Sequence, residues 1–164
     1  MDLKFTFNGS SHDRGQNEHH HDDAHSGIPL PFAGASGSGP AAASNVLELR
    51  VSASGATVVC EGLSGDGVSY ARAEKPVEDP AAPAALAPAV RSVLARAGAS
   101  LPEPLIESVT GIVLALDGAE AAVLAELGLP LLEQADPAAP ISAVDEALQA
   151  RTGVAAGTPI RLAN

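Results

Sequence analysis

Hydrophobic and polar residues alternate strictly over residues 47–53. In "NVLELRVSA" every second position is apolar, and the apolar set is Leu47, Leu49, Val51 and Ala53. A period of two is typical of a β-strand with one buried face. "ATVVCEGL" and "VSYARAEKPV" follow as two more strands, joined by "SGDG", where Gly65, Asp66 and Gly67 suit a tight turn. The pattern predicts an antiparallel meander of three strands.

After the meander the hydrophobic period becomes that of a helix. Along "DPAAPAALAPAVRSVLARAGAS" a single apolar stripe consists of Val90, Val93, Leu94 and Ala97. Pro88 is expected to mark the start of the regular helix or a kink near it, because an interior proline removes a backbone hydrogen bond. Gly98 suits the C-terminal cap, so the segment predicts a helix that ends there.

The remaining segments add two strands and two helices. "IESVTGIVLALD" is almost unbroken in its apolar character, as expected of a central strand covered on both faces. Asp117 and Glu120 resemble a capping pair for a helix that ends at Gly128. Another short helix is expected over 142–151 with Gly153 after it, and "GTPIRLAN" predicts a last strand. The order of strand, strand, strand, helix, strand, helix, helix and strand favours an α/β fold with a mixed sheet.

The first 45 residues show neither hydrophobic period. They contain all five histidines and the stretch "GIPLPFAGASGSGPAAAS", which is rich in Gly, Pro and Ser. Such composition is typical of a segment that does not build a packed core. The sequence therefore predicts a disordered arm, rich in His, Gly and Ser, over 1–45, followed by one domain over 46–164.

Charge limits the partners that the chain can take. The net charge is −11; residues 1–45 carry five acidic and two basic side chains, and residues 46–164 carry fifteen and seven. An acidic surface repels phosphate backbones and anionic lipid, so neither nucleic acid nor a membrane surface is an expected partner. Another protein chain remains the expected class of partner. We also expect a cytoplasmic protein, because "MDLKFTFNGSSHD" lacks the layout of a signal peptide.

Two single residues of the strands are expected to serve packing. Cys60 is the only cysteine, so it has no partner for an intramolecular disulfide, and it is interpreted as a small buried hydrophobe. Tyr70, the only tyrosine, is expected to anchor the packing with its hydroxyl at the rim.

The segment "NEHHHDDAHSG" concentrates imidazole and carboxylate groups. The candidate metal ligands are His12, His19, His20, His21, Asp22, Asp23 and His25. These donor types suit Zn or Ni, but consecutive histidines cannot all face one ion from a regular strand or helix. The alternatives are a solvated polar arm or a remnant of an added sequence. The sequence thus predicts either no cofactor or a Ni or Zn ion on the arm.

Several segments of the domain also resemble one known family. "LELRVSASGATVVCEGLSGDGVSYARAEKPV" is similar to the opening hairpins of the FGGY carbohydrate kinases, such as xylulokinases, and "DPAAPAALAPAVRSVLARAG" to the helix that follows. "IESVTGIVLAL", "LGLPLL" and "LQARTG" resemble later stretches of the N-terminal lobe. The resemblance covers 46–164 and implies the ribonuclease-H-like sheet that sugar kinases share with actin and the heat-shock ATPases.

The chain departs from the family where the phosphate and magnesium are held. An Asp followed by Gly and Thr occupies the family's first turn, and the matching positions here read Arg50, Val51, Ser52 and Ala53. The magnesium-binding acid is thus replaced by a base. Ser52 and Ser54 remain as candidate hydrogen-bond donors to an anion.

The sugar-contacting region of the family is also reduced. Its "W-x-D-x-R" motif would fall near "EQADPAAP", where Asp136 remains as a candidate substrate-binding residue and Ala138 replaces the arginine. The chain has no tryptophan and is too short for the lobe that holds adenine. We therefore expect a non-enzymatic, degenerate kinase-like domain that acts as a binding or regulatory module. The alternatives are a metal-handling protein that works through the arm, and a fragment of a carbohydrate kinase that needs a second lobe.

Overall fold

The computed structural model describes residues 46–164, which contain six strands and four helices. The strands are β1 (Leu47–Ser54), β2 (Thr57–Ser64), β3 (Ser69–Pro76), β4 (Val109–Ala115), β5 (Ser142–Ala143) and β6 (Pro159–Leu162). The helices are α1 (Pro83–Ser100), α2 (Glu103–Glu107), α3 (Glu120–Glu126) and α4 (Glu146–Thr152). The disordered arm predicted for 1–45 lies outside the described residues.

All six strands belong to one sheet in the order β3-β2-β1-β4-β6-β5. β1, β2 and β3 form the predicted antiparallel meander, with Val51 opposite Cys60 and Cys60 opposite Ala73. β4 lies parallel to β1, β6 lies parallel to β4, and the short β5 pairs antiparallel with β6. The α/β class and the mixed sheet predicted from the sequence are confirmed.

The alternation of β1 sorts its side chains onto two faces of the sheet. Leu49 and Val51 have no exposed surface, and α1 packs on their side against β1, β2 and β3. α3 and α4 both contact α1, which places them in the same layer. The positions between them, Glu48, Arg50 and Ser52, point to the opposite face and stay exposed or half-buried. Burial on the helix side supplies most of the hydrophobic stabilisation of the domain.

Helix α1 has the predicted buried stripe but different ends. Val90, Val93 and Ala97 are fully buried, as expected. The helix begins at Pro83 and continues through Pro88, which lies on its solvent side, where water can reach the carbonyl group that a proline leaves without a donor.

Gly98 is not the C-terminal cap of α1, because the helix runs on to Ser100. A Cβ atom at Gly98 would lie 2.0 Å from the carbonyl oxygen of Thr152 in α4. The glycine is required by this close approach of two helices, and the two residues after it can remain helical. The prediction of a cap at this position was therefore wrong.

Two further helix boundaries and the conformation of one turn differ from the sequence prediction. Asp117 does not cap α3: its φ is +54°, and the N-cap of α3 is Ala119. The last helix starts later than expected because Asp145 caps it, with Oδ1 accepting the Leu148 N–H at 2.7 Å. In the turn between β2 and β3, only Gly67 has a positive φ.

Candidate functional site

The parallel strands β1, β4 and β6 end at the same edge of the sheet. Their last residues are Ser54, Ala115 and Leu162. In open α/β sheets, ligands bind in the crevice outside the carboxyl ends of the strands. The loops at this edge therefore form the candidate site.

Two adjoining cavities open at the ends of β4 and β6, each of about 320 Å³. Both are lined by Gln134 and Leu162, so they form one continuous depression, the carboxyl-edge cleft. One cavity adds Asp136, Pro137 and Asn164. The other adds, among its lining residues, Gly118, Glu120, Leu131, Leu132 and Ile141. The volume of each is that of a small-molecule site.

Asp136 stands in a turn that its own side chain stabilises. Its Oδ1 accepts the N–H of Ala138 at 2.8 Å, and its backbone carbonyl accepts the N–H of Ala139 at 2.9 Å. Gln134 crosses the same turn, with Nε2 donating to the Ala139 carbonyl at 3.3 Å. These bonds hold a carboxylate and an amide beside Asn164, in one cavity. The sequence resemblance pointed to Asp136, whereas Gln134 and Asn164 were missed because no motif marks them.

The loop that carries these groups is tied to the sheet by backbone bonds. The N–H of Leu132 donates to the Ile141 carbonyl at 2.8 Å, and the Ser142 hydroxyl donates to the Pro130 carbonyl at 2.7 Å. Ser142 has no exposed surface, so its hydroxyl is used entirely to hold this loop. The polar groups of the cleft therefore rest on a supported loop.

Glu120 closes the other side of the cleft. Its Oε1 accepts the N–H of Leu116 at 2.7 Å, just after the end of β4. The chain between them turns through Asp117 and Gly118, both with positive φ. Glu120 therefore braces the tight loop after β4 while it lines the cleft, and it was expected from the sequence only as a capping residue.

The chemistry of the cleft is that of hydrogen bonding beside an apolar wall. Leu131 and Leu132 are about half exposed (52% and 50%) and supply the wall. The residues that line the two cavities include no lysine or arginine, so no cationic side chain there favours a phosphate group. Two carboxylates and two amides beside leucines suit a neutral ligand with several hydroxyl groups.

The sequence-predicted anion donors lie elsewhere. Ser52 sits inside β1, with Val59 and Ala115 beside it on the neighbouring strands, and Ser54 ends β1 in an exposed position. Neither lines either cavity of the carboxyl-edge cleft. Arg50 lines a different cavity, of about 380 Å³, together with Glu48. The structure does not bring these residues and Asp136 together.

The match to the family's first turn also needs correction. Residues 50–53 lie within β1, and Val51 is fully buried by the helices. The turn that joins β1 to β2 is at Gly55, whose φ is +57°. No turn lies at 50–53, since all four residues pair with β2 and the first three also pair with β4.

The remaining candidates concern metals and thiols. His12, His19, His20, His21, Asp22, Asp23 and His25 lie outside the described residues. Within 46–164, no cluster of three or more His, Cys, Asp or Glu side chains is placed to hold a metal ion. Cys60 has no exposed surface, and burial, assisted by the neighbouring Glu61 charge, raises its pKa to about 12. A neutral, buried thiol of this kind is chemically inert.

No protein-family model, curated protein or solved structure matches this chain. The fold and the cleft together describe a mixed α/β domain with a small-molecule-sized site at the carboxyl edge of its sheet. In the part of the chain that the structure describes, no helix is both long and apolar enough to cross a membrane.

Proposed function

We propose that residues 46–164 form a ribonuclease-H-like lobe, related to the N-terminal lobe of FGGY carbohydrate kinases, that binds a polyhydroxylated ligand without transferring a phosphoryl group. The domain would act as a binding or regulatory module. The observation that carries the proposal is the carboxyl-edge cleft, where Asp136 and Gln134 stand beside an apolar wall at the ends of two parallel strands.

The strand order supports the kinship. A three-strand antiparallel meander is followed by a helix, and the next strand returns parallel to β1 on the side away from β2. A further parallel strand then extends the sheet outward from β4. The resemblance to the kinase lobe implies such an arrangement, and Asp136 lines the cleft at the carboxyl edge of this sheet.

The electrostatics argue against phosphoryl transfer by this chain. Catalysis of that reaction rests on positioning and on neutralising the charge of the phosphate groups. The cleft lining has no basic side chain, and residues 50–53, to which the family's phosphate-binding turn was matched, lie inside β1. The arrangement supports ligand recognition alone.

A binding experiment tests the proposal. Isothermal titration of the protein with pentoses, hexoses and polyols should give heat for at least one ligand, and Asp136→Asn should weaken that binding at least about tenfold, because a charged hydrogen-bond acceptor is lost. Glu133→Gln is the matched control, since it removes one exposed acidic charge from the same loop without touching the cleft lining. Equal weakening by both variants, or no binding at all, would contradict the proposal.

A catalytic assay separates this function from that of a kinase fragment. With ATP, magnesium and the same sugars, the purified protein should form no sugar phosphate, and Arg50→Asp should not restore turnover. Formation of any sugar phosphate above a heat-killed control would show that the non-enzymatic assignment is wrong.

A second proposed function rests on the sequence of residues 17–27 alone. Four of the five histidines fall in this segment, so it should bind Ni or Zn weakly at neutral pH and release the ion as the pH falls to about 6. Titration of the intact protein with Ni should give heat that is lost when residues 1–45 are removed. Equal heat from both proteins would exclude the segment as the metal site.

A further inference from the structure

Two arginines come together between α1 and α4, away from the carboxyl-edge cleft. Arg91 of α1 and Arg151 of α4 line a cavity of about 90 Å³, together with Leu127, Leu148 and Asp145. The same two arginines line a second, shallower cavity of about 550 Å³ with Ser92 and Pro88. Because both cavities are lined by Arg91 and Arg151, they form one groove, the α1–α4 groove.

The close packing of the helices explains this convergence. Gly98 lets the backbone of α1 approach the carbonyl of Thr152, the residue after Arg151. Arg91 lies seven residues, or two helical turns, before Gly98 and so on the same side of α1. The glycine contact therefore brings Arg151 to the face of α1 that carries Arg91.

The charge of the groove is opposite to that of the domain. Residues 46–164 carry fifteen acidic and seven basic side chains, yet the groove has two arginines against one carboxylate, Asp145. Asp145 is already engaged, because its Oδ1 accepts the N–H of Leu148. Within residues 46–164, neither Arg91 nor Arg151 makes a side-chain hydrogen bond or an ion pair, in contrast to Arg72, which binds Glu61 and Glu74. Two arginines that line the same cavity place like charges in one groove, and an anion bound there would offset their repulsion.

We propose that the α1–α4 groove binds a small anion that carries a phosphate group. A phosphate offers oxygen pairs to two guanidinium forks at once, whereas a single carboxylate fills only one. The smaller cavity takes the tetrahedral group, and the adjoining cavity, with the Ser92 hydroxyl, takes the organic part of a phosphate ester. This site is independent of the proposed polyol site, because none of its lining residues belongs to the carboxyl-edge cleft.

The test is titration of the full chain at low salt with inorganic phosphate, with glycerol phosphate and with acetate, followed by calorimetry and amide NMR. Both phosphate ligands should bind and shift the signals of Arg91 and Arg151, and acetate should not. Tighter binding of glycerol phosphate than of inorganic phosphate would identify an ester as the ligand. Tighter binding of inorganic phosphate would identify the free ion. Either order supports the site.

Substitutions then assign the binding to the two arginines. Arg91→Gln and Arg151→Gln should each weaken phosphate binding at least about tenfold, and Arg151→Lys should weaken it less, because it keeps the charge but loses the fork. Arg96→Gln is the control: Arg96 lies on the same helix but donates to the Glu74 carbonyl, so phosphate affinity should stay within about twofold.

The alternative is that both arginines have only a structural role, in which their aliphatic stems cover Leu127 and Leu148. In that case the glutamine variants would lower the melting temperature and leave phosphate affinity unchanged. That result, or the absence of phosphate binding at millimolar concentration, would overturn the proposal. If a glutamine variant fails to fold, as judged by circular dichroism, Arg151→Lys decides: its phosphate affinity must fall below that of Arg96→Gln.

Discussion

On one face of the sheet Leu49, Val51 and Cys60 have no exposed surface, whereas on the other face Arg50, Tyr70 and Arg72 are exposed. The same strands supply both sets, and only the parity of the position differs. Helices α1, α3 and α4 gather on the first face, and the second carries ion pairs such as Arg72 with Glu61. The difference indicates that the helix-covered face stabilises the fold, and that the open face tolerates change.

The expected role of Tyr70 was wrong because the parity of its position overrides its residue type. A lone tyrosine in a strand was interpreted as a packing anchor, but the side chain is 46% exposed because it alternates with the buried Ala71 and Ala73. Position in the alternation decides burial here, and residue type does not.

The largest effect should come from the helix contact above the covered face. Gly98→Val should lower the free energy of unfolding by at least about 4 kcal/mol, because its Cβ would collide with the backbone of Thr152 rather than with a movable side chain. Ala99→Val, exposed on the same helix, is the control and should cost only about 0.5 kcal/mol through helix propensity. Urea unfolding measures both. Similar losses in the two variants would show that α1 and α4 do not touch as described.

The next prediction makes the same change on each face. Leu49→Ala should cost about 2–5 kcal/mol, since it leaves a cavity in a core where the leucine is fully buried. Leu63→Ala, on the half-buried open face of β2, should cost less than about 1.5 kcal/mol. The difference between the two unfolding free energies is the direct measure of the contrast between the faces. Equal costs would mean that the open face is covered in solution.

Alkaline pH should destabilise the covered face through Cys60. Burial raises the pKa of its thiol from the ordinary 9.0 to about 12 in the folded protein. The neutral thiol therefore contributes its full stability below pH 9, and the contribution is lost as the pH rises from 9 toward 12. Between pH 9 and 10.5 the wild type should lose about 1–2 kcal/mol more than Cys60→Ala. Parallel pH profiles for the two proteins would contradict the burial of the thiol.

The smallest effect is expected for the ion pairs of the open face. Arg72→Ala removes contacts with Glu61 and Glu74 in which the arginine side chain is 57% exposed, so the loss of stability should be smaller than that of Leu63→Ala. It should shrink further as salt is added, because salt screens exposed charges. Thermal unfolding at low and high ionic strength measures this. A loss that is independent of salt would point to packing rather than charge.

The sequence predicted local structure better than distant contacts. The period of two located β1, and the helical stripe located the buried side of α1, because burial of alternate or i, i+3, i+4 positions is a local signal. Gly98 was taken for a cap because its need arises from Thr152, far along the chain. β5 was missed because two residues carry no recognisable period.

The candidate site was predictable only in part. Asp136 was singled out through the resemblance to the kinases, whose assignment remains a prediction. Gln134, Glu120 and Asn164 join it through the parallel pairing of β4 and β6, which brings separate loops to one edge. A single sequence carries no signal for that pairing, so the cleft could be defined only from the structure.

Amide NMR spectra of the intact protein, recorded during titration with pentoses, hexoses and polyols such as xylulose and xylitol, test the central claim most directly. The proposal predicts that at least one of these ligands causes saturable shifts that cluster at Gln134, Asp136 and Asn164 and spare both faces of the sheet. Absence of shifts with every ligand up to saturating concentrations, or shifts centred on the open face around Arg50 and Arg72, would contradict the assignment of the carboxyl-edge cleft as the binding site.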